Sequence, residues 1–114
     1  LEWETFSEAR VEELLRAGTP VLVDFTAAWC VTCQVNERTT LRNAEVRAAV
    51  RRSGAALLKA DWTGRDPAIT AALEKLGRSG VPVYALYSPV DRRPKLLAGI
   101  LTQKMVIGAL NELE

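Results

Sequence analysis

The stretch VLVDFTAAWCVTCQVNER, residues 21–38, contains both cysteines of the chain. Its first part, residues 21–27, is a continuous apolar run with β-branched residues, which predicts a strand buried on both faces. A helix is expected to begin near Cys30. The two thiols, Cys30 and Cys33, therefore fall at a strand-to-helix junction, and three interpretations are open: a metal site, a structural disulfide and a redox centre.

Length and composition limit the class of protein. The chain has 114 residues, 48% of them hydrophobic, which suits one domain with a packed core. A net charge of +1 gives no electrostatic footprint for nucleic acid or for an anionic membrane surface. No apolar run approaches the roughly 20 residues that span a bilayer. The chain begins with Leu1, and we expect residues 1–114 to be one excised domain or mature fragment.

The chain contains no histidine, which excludes a Cys-His or Ser-His catalytic pair within it and every histidine-containing metal site. A structural zinc site needs four ligands, and Cys30 and Cys33 supply two, so the zinc would have to be shared between two chains. A disulfide between them would close about the shortest useful loop and stabilise little. These arguments favour a redox pair that needs no metal and no other cofactor.

Strands and helices alternate along the rest of the chain. Further strands are predicted at residues 3–6, 56–61, 81–87 and 95–100, with a polar turn at 89–94 joining the last two. Helix starts are predicted at Ser7, Asn43, Asp66 and Thr102, and the helix from Cys30 is expected to weaken around residues 39–40. The order β-α-β-α-α-β-α-β-β-α predicts a three-layer α/β sandwich with parallel crossovers and an antiparallel edge.

Three segments resemble the thioredoxin fold. They are Trp29-Cys30-Val31-Thr32-Cys33 at the junction, Val81-Pro82 opening a later strand, and Gly99-Ile100-Leu101-Thr102 before the last helix. Nearly the whole chain is covered, and the resemblance implies an α/β/α sandwich with a mixed central sheet.

A narrower similarity is to the C-terminal domain of DsbD-type thiol:disulfide interchange proteins. Two segments carry it: AAWCVTCQVNERTTLRNAEV, with Glu37 four residues after the second cysteine, and KADWTGRDPAITAALEKLGRSGVP. A general soluble thioredoxin is the alternative within the same superfamily.

The chemistry of the two thiols can be predicted from their position. At a helix N-terminus, free N–H groups and the macrodipole favour the thiolate, which is the nucleophilic form, so Cys30 is the expected attacking group. Cys33 lies one turn deeper and is expected to be less exposed. Cys30 would attack a partner disulfide, and Cys33 would then attack the sulfur of Cys30 and release the reduced partner.

Two acidic residues flank the dithiol in the sequence. Asp24 stands in the middle of the apolar strand, and Glu37 stands one helical turn beyond Cys33. Each has an ordinary interpretation: Asp24 faces solvent at a strand end, and Glu37 is an exposed helix residue. The resemblance implies instead that both lie under the dithiol, relay protons to Cys33 and disfavour thiolates. On that interpretation the couple is reducing.

The resemblance also implies a partner-docking surface. Trp29 would pack beside the dithiol and shape this surface, although an ordinary core aromatic is the alternative. Pro82 is expected to follow a cis peptide bond, which would turn the backbone of Val81 toward the dithiol, free to pair with an extended partner segment. For Trp3 and Trp62 we expect only packing.

If the domain is DsbD-like, it sits on the periplasmic side of a bacterial inner membrane as part of a membrane-anchored protein. It would take electrons from a membrane-embedded domain and pass them to disulfide-bearing protein partners that serve disulfide isomerisation or cytochrome c biogenesis. The domain itself is expected to be soluble and monomeric, with no nucleic-acid or metal partner. An alternative from another class is a non-catalytic interaction module whose CxxC is structural or a metal half-site.

Overall fold

A mixed five-stranded sheet forms the middle layer of the computed structural model, which describes residues 2–113. The strands are β1 (Trp3–Thr5), β2 (Val21–Thr26), β3 (Ala56–Asp61), β4 (Val83–Tyr87) and β5 (Lys95–Leu96). Their order across the sheet is β1-β3-β2-β4-β5. The first three run parallel, and β4 is antiparallel to both β2 and β5. The predicted mixed sheet is therefore confirmed.

Helices cover both faces of this sheet. They are α1 (Glu8–Arg16), α2 (Val31–Asn36), α3 (Ala44–Ser53), α4 (Pro67–Lys75) and α5 (Gln103–Asn111), and a π-helical segment, Glu37–Leu41, continues α2. The predicted caps are confirmed, because the side chains of Ser7, Asn43, Asp66 and Thr102 each accept a hydrogen bond from a backbone N–H of the first turn.

The core lies in two layers, one on each side of β2, and this arrangement gives the predicted three-layer sandwich. Val21, Val23 and Phe25 are fully buried in the layer under α1 and α4. Leu22 is buried in the opposite layer, under α3 and α5. Successive side chains of a strand point to opposite faces, so a strand without an exposed face requires the continuous apolar run seen in the sequence.

The strands predicted at residues 3–6 and 21–27 each end one residue early, and two others are shorter than predicted by two residues or more. The strand expected at residues 81–87 begins at Val83, because Pro82 has no N–H to donate to a ladder. The strand expected at 95–100 contains only Lys95–Leu96; the N–H of Leu97 still donates to the carbonyl oxygen of Tyr84 over 2.9 Å, and the chain bends at residues 99–100.

The helix that begins after Cys30 changes its hydrogen-bond pattern close to the predicted weak point. The π-helical segment starts at Glu37, and the hydroxyl of Thr39 donates to the carbonyl oxygen of Val35, 2.9 Å away. A side chain that bonds the backbone four residues earlier bends a helix. Within residues 2–113, no helix has the length and apolar character needed to cross a bilayer.

Candidate active site

The two cysteines lie where β2 ends and α2 begins. Cys30 is the N-cap of α2, and its sulfur accepts a hydrogen bond of 3.2 Å from the backbone N–H of Cys33. The two residues form a disulfide, with their Cα atoms 5.2 Å apart. Cys30 is 8% exposed and Cys33 is 2% exposed. The predicted order of exposure is confirmed, although most of Cys30 is also covered.

The cis peptide bond lies beside this disulfide. Val81 packs against a small cluster made by Ala27, Cys30 and Cys33. The Val81-Pro82 bond is cis, as the resemblance implied. Gly99 borders the same place, since a Cβ built on it would stand 3.9 Å from the Cγ of Pro82. Two segments distant in sequence therefore meet beside the cysteines.

Trp29 is a surface residue, so its interpretation as a core aromatic is wrong. It is 48% exposed, and its indole N–H donates to the carbonyl oxygen of Thr63 over 3.1 Å. Its ring packs against Trp62, with the ring centroids 5.9 Å apart. The predicted packing role of Trp62 is confirmed: the residue is buried, and its own N–H donates to the hydroxyl of Thr70.

Asp24 is buried in the middle of the sheet, so its interpretation as a solvent-facing residue is wrong. It is 2% exposed and pairs in register with Lys59 on β3 and with Tyr84 on β4. Directly paired residues point to the same face, so the three side chains form a row across three strands. The Oδ1 atom of Asp24 is buried without a hydrogen-bond partner among residues 2–113.

Burial determines the protonation of Asp24. Loss of hydration raises the pKa of this carboxyl from its ordinary value of 3.8 to about 7, the positive charge of Lys59 opposes that rise, and the negative charge of Glu37 adds to it. A carboxyl with a pKa near neutrality can both give and take a proton under ordinary conditions.

Glu37 is partly covered at the start of the π-helical segment, and its side chain is 23% exposed. One carboxylate oxygen, Oε1, lies 3.7 Å from Nζ of Lys59 and 4.0 Å from Nε of Arg42. The other oxygen, Oε2, is buried without a hydrogen-bond partner in the described part of the chain. The interpretation of Glu37 as an ordinary exposed helix residue is therefore wrong, since the residue is partly buried and its carboxylate lies beside Lys59, one member of the row.

A cleft of about 320 Å³ gives solvent a way to the Glu37–Lys59 pair. It opens next to the loop that precedes Cys30, and it is lined by Thr26, Ala27, Ala28, Gln34, Glu37, Arg42, Lys59, Asp61 and Thr63. Protons can therefore reach the pair from the same side of the molecule as the disulfide.

Asn36 is a buried polar residue that the sequence analysis missed. Its amide nitrogen donates to the hydroxyl of Tyr84 over 2.9 Å and to the carbonyl oxygen of Gly99 over 2.8 Å. Its amide oxygen accepts from the backbone N–H of Leu101 over 3.2 Å. These bonds join α2 to β4 and to the loop that borders Pro82. The available signal was its spacing, three residues after Cys33, which puts both on one helix face.

The loop after β3 was also missed, and it is fastened to the loop before Cys30. The hydroxyl of Thr63 accepts from the backbone N–H of Ala28 over 2.8 Å. The guanidinium of Arg65 lies over the rings of Trp29 and Trp62, with Cζ 4.9 Å and 4.8 Å from their centroids. No local pattern signals the contacts with Ala28 and Trp29, because they join residues more than thirty positions apart.

The side chains around the disulfide are a poor set of ligands for a metal ion. Within residues 2–113 there is no group of three or more histidine, cysteine, aspartate or glutamate side chains that could hold one.

Comparison with known proteins gives consistent relatives. A family model described as thioredoxin-like matches residues 2–89. The thiol:disulfide interchange protein DsbD 1 of Pseudomonas aeruginosa is 33% identical over 93 residues, which are 77% of this chain and 15% of that protein. DsbD of Ralstonia nicotianae is 40% identical over 85 residues, which are 71% of this chain and 14% of that protein. The chain thus spans about one seventh of the length of these curated relatives.

Solved structures share the fold. The C-terminal domain of DsbD from Neisseria meningitidis, in its oxidised form, superposes with a TM-score of 0.78 and 24% identity, covering 99% of this chain and all of that one. A thioredoxin from Thermus thermophilus superposes with a TM-score of 0.75 and 15% identity, covering 98% of this chain and 87% of that one.

Proposed function

The chain belongs to the thioredoxin-like family, and from that membership we propose that it is a thiol-disulfide oxidoreductase, a protein-disulfide reductase that works through Cys30 and Cys33. One observation carries the proposal: the only two cysteines of the chain form a disulfide at the start of α2. That position supports a redox role, since a bridge between residues three apart constrains little of the unfolded chain.

The reaction consists of two thiol-disulfide exchanges. In the reduced domain, the thiolate of Cys30 attacks one sulfur of the partner disulfide, whose S–S bond breaks as the mixed disulfide forms. The partner's leaving sulfur takes up a proton. Cys33 then loses its proton and attacks the sulfur of Cys30, which releases the second partner sulfur as a thiol. Two electrons pass to the partner, and Cys30 and Cys33 end as a disulfide.

In this proposal, Asp24 and Glu37 carry protons between Cys33 and bulk water. Cys33 must lose a proton when it attacks, and its surroundings are almost free of water, because it is 2% exposed. The pKa of about 7 at Asp24 lets that carboxyl accept and return a proton. Glu37 stands beside Lys59 at the solvent cleft and links Asp24 to bulk water.

The docking surface in this proposal surrounds Cys30. Trp29 offers an exposed indole, and Val81 and Pro82 offer the backbone edge beside the disulfide. An extended segment of a disulfide-bearing partner would pair with the backbone of Val81, while its disulfide faces Cys30.

The similarity to DsbD proteins supports a finer proposal about the place of the domain in the cell. Here the domain, residues 1–114, is one part of a longer membrane-anchored protein on the periplasmic side of a bacterial inner membrane. It receives electrons from a membrane-embedded domain and passes them to periplasmic protein partners. The names of the relatives, thiol:disulfide interchange proteins, support the exchange chemistry in this proposal.

Trapping tests the function directly. Because Cys33→Ala removes the resolving thiol, the reduced variant is expected to stay linked to its partners through Cys30, and mass spectrometry would identify them. Cys30→Ala is the matched control and should trap far less. A count of free thiols before and after mild dithiothreitol separates a redox pair from a non-catalytic module, since an inert pair would not change. Partners found in the cytoplasm would favour a general thioredoxin.

A further inference from the structure

The loop after β3 holds a cation against the residue that precedes Cys30. The guanidinium of Arg65 contacts two indole rings, those of Trp29 and Trp62, at 4.9 Å and 4.8 Å from their centroids. These distances are within the range of cation–π contact. Since Trp29 directly precedes Cys30 in the chain, the charge is attached to the segment that carries the attacking cysteine.

The backbone fixes the position of this cation. Arg65 is the only non-glycine residue with a positive φ, 55°, among residues 2–113, and its N–H donates to the carbonyl oxygen of Trp62 over 2.9 Å. The same loop is fastened to the cysteine loop through Thr63, which bonds both Ala28 and the indole of Trp29. Arg65 is thus held on the surface by its own turn and by two aromatic neighbours.

The carboxylates closest in sequence are occupied elsewhere. Asp61 accepts from the N–H and the hydroxyl of Thr63. Asp66 caps α4 by accepting from the N–H groups of Ala68 and Ile69. In the described part of the chain, no carboxylate oxygen lies within 4.0 Å of the Arg65 guanidinium, which also donates no side-chain hydrogen bond. Its donors remain available to a partner.

We propose that Arg65 is a specificity-determining residue that binds an aspartate or glutamate flanking the disulfide of a protein partner. The inference rests on the proposed oxidoreductase function and deepens it by naming the chemistry of the partner. A planar guanidinium can bind a carboxylate through two parallel hydrogen bonds. Because the two indoles already hold the side chain, less conformational freedom is lost on binding than for a mobile arginine.

A pair of peptides tests this proposal. Each is closed by one internal disulfide; one carries glutamate on both sides of the disulfide, and the other carries glutamine there. The domain is reduced with dithiothreitol, desalted and mixed with either peptide in a single turnover. The thiolate of Cys30 attacks the peptide disulfide, Cys33 resolves the mixed disulfide, and the peptide leaves with two thiols. Acid quenching and chromatography measure the rate at which reduced peptide forms.

Wild type is expected to reduce the glutamate peptide about threefold faster than the glutamine peptide at low salt, in line with a single exposed ion pair. The preference should disappear near 1 M salt, where the Debye length is about 3 Å. It should be lost in Arg65→Gln and partly retained in Arg65→Lys. All three side chains meet the same backbone cost at this φ, so the variants differ mainly in charge and shape.

Arg52→Gln is the matched control, since it removes the same charge from the last turn of α3, which leads to the opposite end of the sheet. It should keep the full preference. Equal rates for the two peptides in wild type would overturn the proposal, and so would a preference that survives in Arg65→Gln. An equal slowing of both peptides in Arg65→Gln would also overturn it, because Arg65 would then act only on the cysteine. If wild type reduces neither peptide, the proposed function itself fails.

Discussion

The two sides of the disulfide are built from opposite kinds of interaction. On the outer side, Trp29 and Arg65 are exposed and held by ring contacts and bonds to backbone atoms. On the inner side, Asp24 and Glu37 each keep a buried oxygen without a hydrogen-bond partner among residues 2–113. The outer side lowers the stability of the folded state little, and its exposed side chains are available to partners. The inner side lowers the stability of the fold, and in the proposed mechanism it carries the protons.

Replacement of Asp24 by asparagine gives the largest expected effect, and it tests the cost of the inner side. The ordinary carboxyl pKa is 3.8, and burial raises the pKa of Asp24 to about 7. The folded state therefore holds this proton more tightly than the unfolded state, so stability falls as pH rises from about 4 to about 7 and stays low above that. A shift of about three pKa units corresponds to about 4 kcal/mol.

In urea unfolding of the oxidised protein, Asp24→Asn should therefore be more stable than wild type by up to about 4 kcal/mol at pH 8. The difference should shrink steadily toward pH 4. Asp91→Asn, which removes an exposed carboxylate in the turn before β5, should show no comparable gain. A difference between Asp24→Asn and wild type that does not depend on pH would contradict a buried titrating carboxyl.

Asn36 provides the next test, because it connects the inner side to the loop beside Pro82. Asn36→Leu keeps the branched shape and the number of side-chain heavy atoms, and it leaves three groups without their partner: the Tyr84 hydroxyl, the Gly99 carbonyl and the Leu101 N–H. Unsatisfied buried groups cost about 1–3 kcal/mol each, and partial hydration of the loop lowers the total, so a loss of about 3 kcal/mol is expected.

Gln34→Leu is the control for Asn36→Leu, since Gln34 lies on the same helix and makes one side-chain bond, to the carbonyl oxygen of Ala27. Its expected loss is about 1 kcal/mol. Equal losses of stability in the two variants, measured by urea unfolding, would show that the three hydrogen bonds of Asn36 contribute no more than the single bond of Gln34.

The acidity of Cys30 tests whether the inner side controls the thiols. The helix terminus favours the thiolate by about 0.3–2 kcal/mol, whereas two poorly hydrated carboxylates disfavour it. We expect the pKa of Cys30 to lie at or above that of a free thiol, about 8.5, and to fall by about one unit in the double variant Asp24→Asn, Glu37→Gln. Thiolate absorbance measures both proteins.

The redox potential should follow from the same balance. A protonated dithiol gains little from charge stabilisation, so a dithiothreitol or glutathione titration should give a value nearer the roughly −270 mV of thioredoxin than the roughly −120 mV of DsbA. A wild-type Cys30 pKa well below 7, or no decrease in the double variant, would show that the carboxylates do not control this site.

The smallest expected effect is on the outer side. Arg65→Gln removes two exposed cation–π contacts and should lower the free energy of unfolding by about 1 kcal/mol, while Arg52→Gln should change it by less than about 0.5 kcal/mol. If Arg65→Gln destabilised the protein as much as Asn36→Leu, the distinction between the two sides would fail.

Local sequence signals correctly predicted where four helices begin and which strand is buried on both faces. Ser7, Asn43, Asp66 and Thr102 cap helices because each is a short polar residue directly before an amphipathic run, and that information is contained in neighbouring residues. The continuous apolar run of β2 likewise predicts burial on both faces.

The polar contacts of the site could not be predicted in the same way. Asn36 meets residues 48 to 65 positions further along the chain, and Arg65 meets Trp29 across more than thirty positions. Such contacts depend on how the layers pack, which no short window of sequence records. Asp24 is intermediate: its isolation in an apolar run was visible, but its burial followed only from the family resemblance.

The placement of Asp24 also bears on which alternative structures the chain can reach. A slip of β2 by one residue would exchange its two faces and send Asp24 into the layer occupied by Val21, Val23 and Phe25. There the carboxyl would lose Lys59, the cation that now opposes the rise of its pKa. The slipped pairing would thus carry a larger penalty than the native one. The residue that weakens the native sheet also helps the chain to reject its nearest misfolded competitor.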